Sequence, residues 1–251
     1  MLDIQERGAV GVLRIEHGKA NAFDVEFCEA LVKLLGEAGR SNLRALVVTG
    51  QGRIFSAGVD LLRVLEGGAA YVHRFLPALS SAFESLFCFP KPVLAAINGH
   101  AIAGGCVLAC AADYRVMAMH SGRIGIPELL VGVPFPAIAL EIMQQTVAPA
   151  HFRSLIYAGA TLSPEQAKEI GLVDGIAEPE QLMSQAVTMA EKFAGVRPEV
   201  FATTKRQVRH PVMTRVREGG REFDAGIQEL WESPATLAAI RKYVARTLKK
   251  S

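Results

Sequence analysis

The sequence predicts an α/β fold over residues 1–195 followed by an all-helical region over residues 196–251. Three observations carry that prediction. Short continuous apolar runs, the pattern of strands buried on both faces, alternate with segments of helical periodicity through most of the chain. The final stretch loses those runs and reads as helix punctuated by proline and glycine. Half of the residues are hydrophobic and 21% are charged, enough apolar material for a substantial core in a chain of 251 residues,.

The opening "LDIQERGAVGVLRIEHG" has two runs separated by Gly8, with Val10, Val12, Leu13 and Ile15 favouring a strand, so it predicts a hairpin,. After the turn-like "HGKANAFD", Asp24 is placed to cap a helix whose apolar positions Phe27, Leu31, Leu34 and Leu35 recur at helical spacing,. "LRALVVTGQG" predicts a buried strand ending in a Gly-x-Gly turn, and "RIFSAGVDLL" a loop,. Residues 70–87 predict an apolar helix stopping at Phe89-Pro90, with "KPVLAAING" as the next buried strand. It leads into "GHAIAGGCVLACAAD", a glycine pair opening a small-residue helix. "YRVMAM" and "RIGIP" predict short strands, and residues 136–147 a helix. Short helices follow from Ala148 to Leu172, "LSPEQA" supplying a cap and first turn,. The remainder is expected to be almost wholly helical, with breaks at Arg197-Pro198, His210-Pro211, Gly219-Gly220 and Ser233-Pro234.

Composition narrows the function. A net charge of +2 announces no nucleic-acid partner, and no basic stripe interleaved with aromatics is present,. Asp3, Glu6, Arg7 and Arg14 exclude a signal-peptide block from the first thirty residues, and no apolar run approaches the ~20 residues of a membrane span,. The expected location is the cytoplasm. Cys28, Cys88, Cys106 and Cys110 lack CxxC spacing and read as reduced core thiols,. Cys106 and Cys110 share a helix face, yet no histidine or carboxylate stands at partner spacing, so no metal site is expected,.

Several motif readings fail. In "VVTGQGRIFSAG" the third glycine position of a dinucleotide fingerprint is Phe55, and the Gly-Lys-Ser/Thr ending of a phosphate loop is missing,. Ile54 stands where a nucleophile elbow around Ser56 needs glycine,. What survives is a pair: "FSAGVDL" directly after one buried strand and "GHAIAGGCVLA" directly after another. Glycine loops at the carboxyl ends of such strands lie where α/β proteins bind ligands, and each can offer a backbone N–H to one oxygen. Close packing of the second helix against a sheet is the competing explanation of Gly104 and Gly105.

With "KPVLAAINGHAIAGG", "FSAGVDL" and the later "IGIPELLVGV" in this order, the chain resembles the crotonase (enoyl-CoA hydratase/isomerase) superfamily from the "NAFD" turn to the C-terminus. The resemblance implies a spiral of ββα units, a C-terminal helical region that trimerises and covers the active site, and acyl-CoA thioesters as ligands. It implies a homotrimer or a hexamer built as a dimer of trimers, with no membrane or nucleic-acid partner. The thioester oxygen would be held by the backbone amides of Val59 and Gly104, because charge on a developing enolate must be met by fixed donors,. Ala22, Ala57, Gly58, Asp60 and Leu61 fall on the CoA-binding positions, with Asp60 expected to stabilise its loop. Lys242, Arg246, Lys205, Arg206 and Arg209 are the candidates for CoA phosphates, against the plainer reading of solvated helix faces,.

The family carries catalytic acids at two places. Glu128 matches one, between apolar neighbours expected to raise its pKa toward neutrality; the other position holds Val107,. Hydration of a 2-enoyl-CoA is best served by two carboxylates, whereas moving a double bond from carbon 3 to carbon 2 needs one base. The resemblance with this departure implies a Δ3,Δ2-enoyl-CoA isomerase, needing no metal or redox cofactor. A hydratase working with one glutamate, thioester hydrolysis or decarboxylation through His73 or His100, and a non-catalytic acyl-CoA-binding or RNA-binding relative stand as alternatives.

Overall fold

The hairpin of β1 (Leu2–Arg7) and β2 (Val10–Ile15) turns at Gly8, whose φ of 61° suits a residue without Cβ,. It opens a six-stranded sheet in a computed structural model that describes residues 2–120 and 122–248. The sheet order is β1-β2-β4-β7-β9-β12, adding β4 (Ala45–Gly50), β7 (Val93–Ile97), β9 (Tyr114–Ala118) and β12 (Gly175–Ala177). Beyond the hairpin every pairing is parallel.

Strand periodicity divides the core into two layers. Ala45 and Val47 of β4, with Leu94 and Ala96 of β7, face α8 (Leu182–Ala194) through Leu182, Ala186 and Ala190. Leu46, Val48, Val93, Ala95 and Ile97 point the other way, into the larger core with helix α1 (Val25–Arg40),. Strands covered on both faces are why these segments read as unbroken apolar runs.

Each turn of the spiral repeats one unit. A strand of the main sheet leads to a short second strand and then to a helix. After β4 come β5 (Ile54–Ser56), β6 (Gly58–Val59) and α2 (Leu61–Phe87); after β7 come β8 (His100–Ile102) and α3 (Gly104–Cys110). After β9 come β10 (Ile124–Gly125) and α4 (Glu128–Val131). The first unit is β2, β3 (Ala22–Phe23) and α1, started by Asp24, whose Oδ1 accepts from the Phe27 N–H at 2.7 Å. The second strands form a four-stranded sheet with β11 (Thr161–Leu162) and a small β3-β6 pair.

Several expectations change. The segment "RIFSAGVDLL" is not only loop, since it holds β5 and β6 and starts a helix. Helix α2 begins at Leu61 rather than near residue 70, with a break where Gly68 adopts φ 57° and ψ −151°. Strand β12 interrupts the supposedly helical remainder, a three-residue strand too short to carry a periodic signal,.

Among the helices after α4, α5 (Ala137–Thr146) and α6 (Pro149–Ala158) fall where helix was expected, and α7 (Pro164–Glu169) starts in a full capping box at Ser163. Helix α9 (Pro198–Glu232) runs through Pro211 and through Gly219-Gly220, so neither is a break. Pro211 forfeits one backbone bond, but Val212 and Met213 are buried against the core and hold the turn in place,. An added Cβ at Gly220 would lie 3.4 Å from the Ala137 side chain, and Asp224 Oδ1 accepts the Ala137 N–H at 2.9 Å, tying α9 to the start of α5. Helix α10 (Pro234–Leu248) follows the expected break at Ser233-Pro234. No described helix is long and apolar enough to cross a membrane.

Candidate active site

The two glycine loops meet. Val59 ends β6, which pairs in parallel with β3; because the Phe23 carbonyl accepts the Asp60 N–H at 2.9 Å, the ladder turns the Val59 N–H away from β3,. Gly104 is the first residue of α3, where an N–H has no acceptor within its own helix,. An added Cβ at Gly58, whose φ is 82°, would lie 2.8 Å from the Gly104 nitrogen. The bare glycine therefore lets the two strand-end loops touch at the point where their amides emerge.

Packing constrains one glycine of the pair more strictly than the other. A Cβ at Gly105 would stand 2.3 Å from the Ser56 carbonyl oxygen, so Gly105 is required by the contact of α3 with β5. At Gly104 the nearest atom is a Phe23 ring carbon at 3.2 Å, a tight but yielding neighbour. Ala103, the residue before, is held at φ 54° and ψ −127°, a conformation costly for any residue with a side chain,. That strained peptide aims the Gly104 N–H. Helix α3 spans seven residues, so what it could offer an anion is mainly this local N–H rather than a long dipole,.

These amides border a cavity lined also by Ala57, Leu61, Val107 and Glu128. Glu128 opens α4, after Pro127, and the helix ends one turn later at Gly132 with φ 94°. The residue is half-buried along the cavity wall, yet its Oε2 is sealed and has no hydrogen-bond partner. Burial pushes its pKa from 4.5 up to about 8, opposed only by a hydrogen bond from its own backbone,. Glu128 is the only carboxylate among the described lining residues; Val107, 1% exposed, contributes an apolar wall. A lone carboxylate of this kind, kept from ionising by apolar surroundings, is a group able to take and return a proton near neutral pH.

The other expected residues take supporting positions. Ala57 and Leu61 line the cavity, while Ala22 and Gly58 pair across β3 and β6. Asp60 caps α2, its Oδ1 accepting from the N–H groups of Leu62 and Arg63 at 3.0 and 3.1 Å. Lys205 and Arg209 are not solvated and are not free for phosphate. Both are buried and bound to Asp113, at 2.7 and 2.5 Å, with the Arg209 guanidinium 4.1 Å over the Phe87 ring. Arg206, Lys242 and Arg246 are exposed. His73 is exposed and pairs with Glu232, and exposed His100 accepts from the Arg123 N–H; neither lines the cavity. Cys106 and Cys110 share a hydrogen bond in the core, and no group of three metal-ligating side chains occurs among the described residues.

Sequence reasoning gives the acyl pocket to the helix around residues 62–80 and to C-terminal helices whose packing it leaves unplaced. The far wall of the cavity comes from Leu79 and Phe83 of α2, Phe135 before α5, Trp231 of α9 and Tyr243 of α10. These side chains are ordinary apolar positions of helical patterns; only the path of α9 and α10 back over α2 and α4 converts them into lining.

The comparisons with known proteins agree with this geometry. A family model described as enoyl-CoA hydratase/isomerase matches residues 5–244. A protein of Thermus thermophilus named "Putative enoyl-CoA hydratase" is 34% identical over 205 residues, 80% of this chain and 80% of the relative. The apo structure of a Mycobacterium tuberculosis enoyl-CoA isomerase superposes with a TM-score of 0.82 at 32% identity, over 89% of this chain and 97% of that one. Human mitochondrial Δ3,Δ2-enoyl-CoA isomerase superposes over 100% of this chain and 99% of its own with a TM-score of 0.94, and at 22% identity that likeness is one of fold. With two glycine loops joined at one cavity and a family match over nearly its whole length, this chain belongs to the enoyl-CoA hydratase/isomerase family of the crotonase superfamily.

Proposed function

We propose that the chain is a Δ3,Δ2-enoyl-CoA isomerase in which Glu128 carries a proton between carbons 2 and 4 of a 3-enoyl thioester. The observation that carries this reading is the single carboxylate among the described lining residues of the cavity, with valine at position 107. The thioester oxygen accepts the N–H groups of Val59 and Gly104. Glu128 removes a proton from carbon 2, and the electron pair spreads through a dienolate whose oxygen charge the two amides meet; one such donor is worth roughly 3 kcal/mol. Protonated Glu128 then returns the proton to carbon 4, leaving the double bond between carbons 2 and 3. Apolar walls exclude the water that would add to that product. Ala22, Ala57, Gly58, Asp60 and Leu61 frame the CoA end in this reading, and the C-terminal helices support a homotrimer or a dimer of trimers, to be weighed by light scattering.

Incubation with a 3-enoyl-CoA and separately with a 2-enoyl-CoA tests the reaction. Isomerisation is expected to dominate, and faster hydration of the 2-enoyl-CoA would overturn the assignment. The hydratase reading is favoured by the name of the Thermus thermophilus relative, and that second incubation detects it. Glu128→Gln is expected to lower kcat by about 10² to 10⁴. Full turnover by the variant would remove Glu128 from the chemistry, and tight CoA-ester binding without turnover of any thioester would make the chain a binding protein.

A further inference from the structure

We infer that the cavity accepts only short acyl chains, of about four to six carbons, and that Trp231 sets this limit. The inference rests on the cavity being the acyl site of the proposed reaction. Its free space is about 80 Å³. On a scale where one water needs roughly 15 Å³ and an apolar cavity of about 150 Å³ holds benzene, that leaves room for a few carbons beyond the thioester. Carbons 2 to 4 must already lie beside Glu128 for the proton to move. Little space remains past carbon 4.

Trp231 walls that space and does not yield. It is the largest side chain on the wall, is 2% exposed, and its Nε1–H donates to the Pro134 carbonyl at 2.9 Å. Swinging the indole aside would break that bond and strand a buried donor, so a longer chain meets a fixed surface rather than a movable one. Tyr243, by comparison, is half-buried on α10 with the Arg246 guanidinium 5.6 Å over its ring, and has room to shift. Leu79, Phe83 and Phe135 belong to the main core and move only with it.

The test measures kcat/KM for 3-enoyl-CoAs of four, six, eight and ten carbons, and Kd for the saturated acyl-CoAs of the same lengths, in wild type, Trp231→Phe and Trp231→Leu. Wild type is expected to lose roughly tenfold or more from six to eight carbons, as a pocket that rejects an added methylene does. Trp231→Leu is expected to raise the eight-to-six ratio by about tenfold, and Trp231→Phe, smaller and without the anchoring N–H, to raise it by a smaller factor. Equal handling of six and ten carbons by wild type overturns the inference, as does an unchanged ratio in Trp231→Leu that melts as a folded protein. If no 3-enoyl thioester is turned over, the isomerase reading fails, while the graded Kd series still decides the length limit.

Discussion

Replacing Glu128 by glutamine should make the protein more stable at alkaline pH, by an amount the site itself sets. The native carboxyl keeps its proton up to about pH 8, whereas the unfolded chain releases it at the ordinary 4.5. The folded state therefore holds the more tightly bound proton, and its advantage is complete below pH 4.5 and is lost as pH rises through 8. At about 1.4 kcal/mol per pH unit, the loss is about 3 kcal/mol at pH 7 and about 5 kcal/mol above pH 8. Glutamine has the same shape and no charge to bury, so its profile lacks that slope. Any constant effect of an unpaired amide at Oε2 cancels when one protein is compared with itself across pH. Urea unfolding of both proteins at pH 5, 7 and 9, at matched protein concentration, measures the difference. The gap should widen by several kcal/mol in favour of Glu128→Gln between pH 5 and pH 9. Parallel profiles would refute both the burial of the carboxyl and its role as a group poised to exchange protons.

Further outcomes follow from the same geometry. Because only ionised Glu128 can take a proton, kcat/KM for a 3-enoyl-CoA should rise about tenfold per pH unit below 7 and level off above pH 8, and a flat profile from pH 6 to 9.5 would contradict it,. Gly58→Ala must move either the positive-φ turn or the Gly104 nitrogen 2.8 Å from the new methyl, so kcat should fall by about 10² with weaker change in CoA-ester Kd,. Gly105→Ala drives a methyl to 2.3 Å from the Ser56 carbonyl and should cost about 1–3 kcal/mol in urea unfolding,. Asp113→Asn leaves Lys205 and Arg209 buried without their shared anion, and a loss of about 3–5 kcal/mol is expected by the same measurement,.

What was legible in the sequence is what local pattern controls. Strands β4 and β7 are apolar throughout because both faces are covered, and the Asp24 and Ser163 caps announce their helices by residue type alone,. The two loops were visible as glycine motifs directly after buried strands, and Glu128 through the family resemblance. Lys205 and Arg209 misled: basic residues on a helix face look solvated until the fold brings Asp113, distant in sequence, against them. Pro211 and Gly220 misled in the opposite sense, since tertiary packing of α9 overrides their local preference,. Trp231 and Tyr243 gave no signal at all. Their part in the cavity depends on where two C-terminal helices land.

Three departures from local rules fall close together. Ala103 carries a side chain in a conformation that favours glycine, Glu128 buries a carboxyl oxygen with no partner, and Gly58 and Gly104 lie within a methyl's reach of each other. Each lowers stability or limits substitution, and Ala103, Gly104 and Glu128 line one small cavity. Elsewhere the buried cations have anions beside them, Asp113 for Lys205 and Arg209 and Asp174 for Arg115 at 2.6 Å, although Arg115 Nε and Arg209 Nη1 are themselves left without a hydrogen-bond partner. Val107, Val131 and Pro127 line the cavity with Glu128 and offer its carboxyl no partner, which suits the proposed reaction, because a partner that held the carboxylate charged would pull its pKa down and weaken it as a base,.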